Sequence, residues 1–131
     1  MKQALAELAR MSVLPLAVLL ALSVVVQAYL AGVAAVVDPD YWSLHKGWVA
    51  VFQWLSVALA AATWVGRRDR AMRWMSLIPV VIIAAQYSSI HLALGHRIAW
   101  LAGVHAANGF VLIGVLVLFA ARSRHVAERS P

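Results

Sequence analysis

Charged clusters divide the chain into four apolar runs, 11–37, 47–66, 74–95 and 98–121, none of which contains Asp, Glu, Lys or Arg. Each reaches the roughly 20 residues needed to cross a hydrocarbon layer of ~30 Å. The runs predict four membrane-spanning helices, over about 11–37, 44–66, 72–95 and 97–121, joined by short connections into a single domain. The expected fold is all-α: an integral membrane up-and-down four-helix bundle. The first run is far longer than the 7–15 residue core of a secretory signal and no convincing cleavage motif follows it, so it is read as a permanent helix. Pro15 and Pro79 fall near the ends of their runs, where a missing backbone donor costs least.

Composition agrees with this reading. Of 131 residues, 64% are hydrophobic and 12% charged, about half the charged share that a soluble domain carries. The net charge is +6, and its distribution predicts orientation. Lys2 and Arg10 precede the first span, Arg67, Arg68, Arg70 and Arg73 lie between the second and third, and Arg122, Arg124 and Arg129 follow the fourth. Nine of the eleven basic residues thus share one side, leaving Lys46 and Arg97 on the other. Because Lys and Arg near span ends stay in the cytoplasm, both termini are expected to be cytoplasmic. The positive charge then reflects topology and attraction to anionic lipid, with no reason to invoke nucleic acid. Trp64 and Trp74 would anchor the inner interface and Trp42, Trp48 and Trp100 the outer one, while Trp54, in mid-span, is expected to pack against the core or a ring.

Absent cysteine excludes disulfides, iron–sulfur clusters and covalently attached heme. No acid pair, glycine-rich phosphate loop, metalloprotease helix or plausible serine triad is present. Chemistry must come from the polar residues inside the spans, since each is costly without a partner. A weak internal repeat organises them: Gln27, Trp42 and His45 in the first hairpin find counterparts in Gln86, Trp100 and His105 in the second. At 1.5 Å per residue, Gln27, Gln86 and His105 lie about 22–26 Å above the cytoplasmic ends of their spans, and His45 and His91 about 30 Å. Helix tilt covers that difference, so His45 and His105 are expected to face each other.

Two neutral imidazoles on separate helices of an apolar bundle suit axial ligation of a non-covalent b-type heme. Ala102 and Gly109 flank His105, Asn108 offers a polar contact, and Ala28, Ala31, Gly32, Ser89 and Ala93 leave room for a macrocycle. Lys46 and Arg97 stand where propionates would emerge. His91 lies five residues after Gln86, about 140° around the helix, which makes it a substitute ligand at most. His96 reads as a loop residue and His125 as part of an exposed tail. Alternatives remain: the histidines and glutamines could serve as hydrogen-bond partners between helices, or His91 and His96 with His105 or His45 could hold zinc.

The segment His105-Ala106-Ala107-Asn108-Gly109, with Gln27, the Leu30-Ala31-Gly32 stretch and His45, resembles the small four-helix bacterial membrane proteins of the DUF6220 family. These in turn resemble one four-helix half of heme A synthase, whose halves carry heme-binding histidines on their second and fourth helices. That resemblance implies His45 and His105 as metal ligands. It also implies a heme-holding role more than the enzyme's oxygenase chemistry, because this chain is similar to a single half and Leu44 replaces the acidic residue before the helix-two histidine of the catalytic half. The expected function is electron transfer near the outer face of a bacterial inner membrane, with a quinone or a redox protein as partner. A heme-modifying or superoxide-handling oxidoreductase, a cofactor-free structural subunit and a homodimeric assembly are the alternatives.

Overall fold

The structure, a computed structural model, describes residues 1–128, with side chains through Arg124; Arg129 and the side chain of His125 lie outside the described residues. Five helices follow one another: α1 (Lys2–Val36), α2 (Tyr41–Val65), the short α3 (Arg70–Met75), α4 (Ile78–His96) and α5 (Trp100–Glu128). No strand occurs among the described residues. Four segments are long and apolar enough to cross a membrane, α3 and α4 counting as one. The protein is a multi-pass membrane four-helix bundle.

α1 outruns its apolar segment. α1 continues back through Lys2–Arg10 because Lys, Gln, Ala, Leu, Glu and Arg are all good helix formers. Its 35 residues extend about 50 Å, so its charged first turns project beyond a ~30 Å layer. Pro15 sits inside α1 without breaking it. Pro79 lies in the first turn of α4 and separates it from α3, since it has no N–H to offer Met75. Asp69 caps α3 by accepting from the Met72 N–H at 2.9 Å, and it meets Arg122 of α5 at 3.5 Å.

α1 packs along α2 and α5, and α4 along α5, whereas α2 and α4 touch only sparingly. α2 and α5 therefore lie across the bundle from each other. The α1–α2 and α4–α5 turns share one end, the turn end, and the termini and α3 share the other, the terminal end. Large buried side chains concentrate toward the terminal end: Val13, Leu20, Phe52, Leu59, Met72, Leu112, Leu116 and Phe119. Past Gln27, Phe52, Ile83 and Leu112 toward the turns, the buried residues among those described are only Ala34, Ser89 and Ala93. The fully buried residues of the turn half are thus small, and its half-buried ones are both polar, such as Gln27, His45, Gln86 and His105, and large, such as Leu30, Trp48, Tyr87 and Leu101.

Burial exposes the repeat. Val13, Ala17, Leu20, Val24 and Ala34 of α1 match Met72, Ser76, Pro79, Ile83 and Ala93 at one constant offset, all buried. Phe52, Ser56, Leu59 and Thr63 of α2 match Leu112, Leu116, Phe119 and Ser123 of α5 at an offset one residue longer. The bundle is two like hairpins related by a pseudo-two-fold axis along its length, an arrangement found in parallel-repeat membrane folds.

Trp54 corrects an expectation. It is 65% exposed and faces lipid rather than the core or a ring. Phe52 and Ser56 set the inward stripe of α2, and Trp54, two residues from each, falls on the opposite side of the helix.

Candidate functional site

The first functional side chain comes from the start of α2. The α1–α2 turn closes when the Val37 and Asp38 N–H groups both return to the Val33 carbonyl, at 2.8 and 3.0 Å. Tyr41 then starts α2, and His45 lies one turn in, half-buried against α1. Its Nδ1 donates to the Gln27 backbone carbonyl at 3.2 Å. A carbonyl only accepts, so Nδ1 carries the proton and Nε2 holds the lone pair. The Gln27 side-chain amide donates to that Nε2 at 3.0 Å, and its own Oε1 is buried without a partner. Trp42 packs edge-on against the imidazole at 5.3 Å between ring centres. One turn further, the Trp48 indole N–H donates to the Ser23 carbonyl at 3.0 Å and pins α2 to α1.

The second hairpin repeats this construction. Arg97 ends α4 in the left-handed region at φ 54°, and the Ile98 N–H returns to the Ala93 carbonyl at 3.1 Å. His105 follows one turn into α5, half-buried. Its Nδ1 donates to the Gln86 backbone carbonyl at 3.1 Å, which also accepts from the Ser89 hydroxyl at 2.9 Å. The Gln86 amide lies beside Gly109, its nitrogen 3.8 Å from where a Cβ would stand. Asn108, at the place Trp48 takes on α2, is half-buried.

The two imidazoles meet across the bundle, on the diagonal between α2 and α5. Their ring centres are 6.4 Å apart and their planes are inclined by 61°. Each has its Nδ1 tied to a backbone carbonyl, the partner that fixes tautomer and orientation in metal-binding histidines and raises their basicity. Both are left with Nε2 as the nitrogen that carries the lone pair.

The remaining sequence candidates are distributed around this pair. Lys46, next to His45, and Arg97, in the α4–α5 turn, are both exposed at the turn end. His91 faces outward and stacks on Tyr87, with 6.4 Å between ring centres and 15° between planes. His96 is exposed. Among the described residues no three His, Cys, Asp or Glu side chains converge, so His91 and His96 form no three-ligand site with His45 or His105. Ala31 is half-buried and Ser89 and Ala93 are buried, whereas Ala28 and Gly32 face outward.

Two contributors were not legible as site residues. Trp48 reads as an interface anchor in the sequence, yet it fixes the helix that carries His45; its position three residues after that histidine is the available signal. The two glutamines bring their backbone carbonyls, not only their side chains, to the imidazoles, and no side-chain pattern could have announced that.

Fold and site together define a class: a membrane bundle of two like helical hairpins with an imidazole pair between their second helices. The chain belongs to DUF6220, a family of unknown function, whose family model matches residues 27–93. The matched stretch begins at Gln27, includes His45 and Gln86, and ends before α5, so His105 lies beyond it. No curated protein and no solved structure matches the chain.

Proposed function

We propose that the protein holds one b-type heme non-covalently through Nε2 of His45 and His105 and passes electrons at the outer face of a bacterial inner membrane. The observation that carries this reading is the diagonal imidazole pair at 6.4 Å between ring centres. Two imidazoles bound to opposite sides of one metal ion, with bonds of ~2 Å, have centres about 6 Å apart. The residues present fit the group in chemistry as well as spacing. Both ring nitrogens that would face iron are deprotonated in the tautomer that the Gln27 and Gln86 carbonyls impose. The side chains of Ala31, Ser89 and Ala93 in the turn half are small. When bound, the heme supplies a one-electron redox couple whose potential is set by ligand basicity and a dry surround.

The chain's own residues perform the remaining tasks. His45 and His105 bind, the glutamine carbonyls orient them, and Trp48 clamps α2 to α1. Lys46 and Arg97 offer cations at the turn end for two propionates. The excess of Lys and Arg at the terminal end orients that end toward the cytoplasm, which puts the site near the outer face. A quinol or an external redox protein is the partner this position suits.

Absorption spectroscopy of the detergent-purified protein, as isolated and after dithionite, tests the reading. A Soret band with low-spin character is expected, and His105→Ala should abolish heme retention. A protein that takes up no heme even after hemin is added would refute it and leave the cofactor-free structural subunit.

A further inference from the structure

The two hairpins match in backbone but differ at the imidazoles. Nε2 of His45 is engaged at 3.0 Å by the Gln27 amide, whereas the corresponding Gln86 amide lies beside Gly109. The position on α2 equivalent to Gly109 is Val49. A Cβ at 109 would rest in ordinary contact with the Gln86 amide.

Resting on the heme reading above, we infer that the two ligands are unequal: His105 is the fixed axial ligand and His45 an exchangeable one, so that the α2 side of the iron can be taken by a small diatomic ligand. For His45 to coordinate, Nε2 must leave the Gln27 amide. That strands a carboxamide whose Oε1 already lacks a partner, and an unsatisfied buried polar group is costly. His105 faces no such competitor. Gln27 acts here as a positioning residue, through His45.

Carbon monoxide is the probe, titrated into the full-length, heme-loaded, dithionite-reduced protein while the Soret band is followed. The wild type should bind it. Gln27→Leu frees His45 to ligate and should weaken carbon monoxide binding roughly five-fold, the factor that one net hydrogen bond is worth. Gln86→Leu, which removes an amide that does not engage His105, should weaken it less than Gln27→Leu does. His45→Ala should keep its heme and bind carbon monoxide at least as tightly as wild type, whereas His105→Ala should lose heme. Neither glutamine variant removes a ligand, so the comparison stands even if a histidine variant folds poorly. Exclusion of carbon monoxide from a low-spin wild type, or equal effects of Gln27→Leu and Gln86→Leu, would overturn the inequality while leaving heme binding intact. A wild type that takes up no heme overturns both.

Discussion

Replacing Gly66 by alanine tests how the first hairpin is closed at the terminal end. A Cβ built on Gly66 would stand 2.8 Å from the Arg10 nitrogen, 2.9 Å from its Cα and 2.8 Å from the Ala62 oxygen. All three are backbone atoms, so no side chain can swing aside. Carbon contacts settle near 3.5–4.0 Å, and relief requires moving α1 from α2 by about half an ångström or more where they approach most closely. Overpacking of this kind costs about 1–3 kcal/mol, and here it would also strain the bond from Arg68 to the Arg10 carbonyl at 3.2 Å. The backbone at Gly66 has φ −70°, which any residue can adopt, so the cost is one of space alone. Thermal unfolding in detergent, followed by tryptophan fluorescence, should show Gly66→Ala melting about 4–10 °C below wild type. Gly32→Ala is the control: a Cβ there meets nothing within 4 Å, and alanine raises helix propensity by roughly 1 kcal/mol. Should Gly66→Ala melt with wild type, the close approach of the two backbones is wrong.

Leu59 and Phe119, equivalent residues that are each 0% exposed, should respond alike to alanine. Because lipid is as apolar as the core, mainly the lost packing is felt, and each should cost about 1–3 kcal/mol in denaturant titrations; a silent variant at either position would break the pseudo-two-fold register. Trp54→Ala, on the lipid face, should change stability by no more than ~0.5 kcal/mol, and a larger loss in the same titration would return Trp54 to the core. Arg97→Gly removes a side chain from a left-handed position and should stabilise the heme-free protein by about 1 kcal/mol. If its cation meets a propionate, the same variant should release heme faster in a transfer assay to apomyoglobin, and an unchanged release rate would dismiss that role.

The number of crossings, their approximate extents and the identity of the costly polar residues were legible in the sequence because they depend on local composition. A bilayer of fixed thickness demands a run of fixed length, and any Gln or His inside that run stands out against it. The pairing of Gln27 with His45 and Gln86 with His105 could be sensed for the same reason, as two hairpins carrying the same letters in the same order.

Which face of each helix points inward could not be read, because lipid and protein core are equally apolar and the hydrophobic pattern carries no inward signal. Trp54 shows the consequence: its bulk and mid-span position suggested the core, but the register of Phe52, Ser56 and Leu59 turns it toward lipid. That His105, and not His91, faces His45 was expected from the matching letters of the two hairpins, but the distance of 6.4 Å between ring centres and the 61° between planes follow from the rotation of α2 and α5 about their axes, which only the tertiary structure fixes. It likewise decided that both imidazoles spend Nδ1 on backbone carbonyls, a contact available to any residue at positions 27 and 86. The difference between the two glutamine amides, one engaging His45 at 3.0 Å and the other lying beside Gly109, became visible only in the folded hairpins.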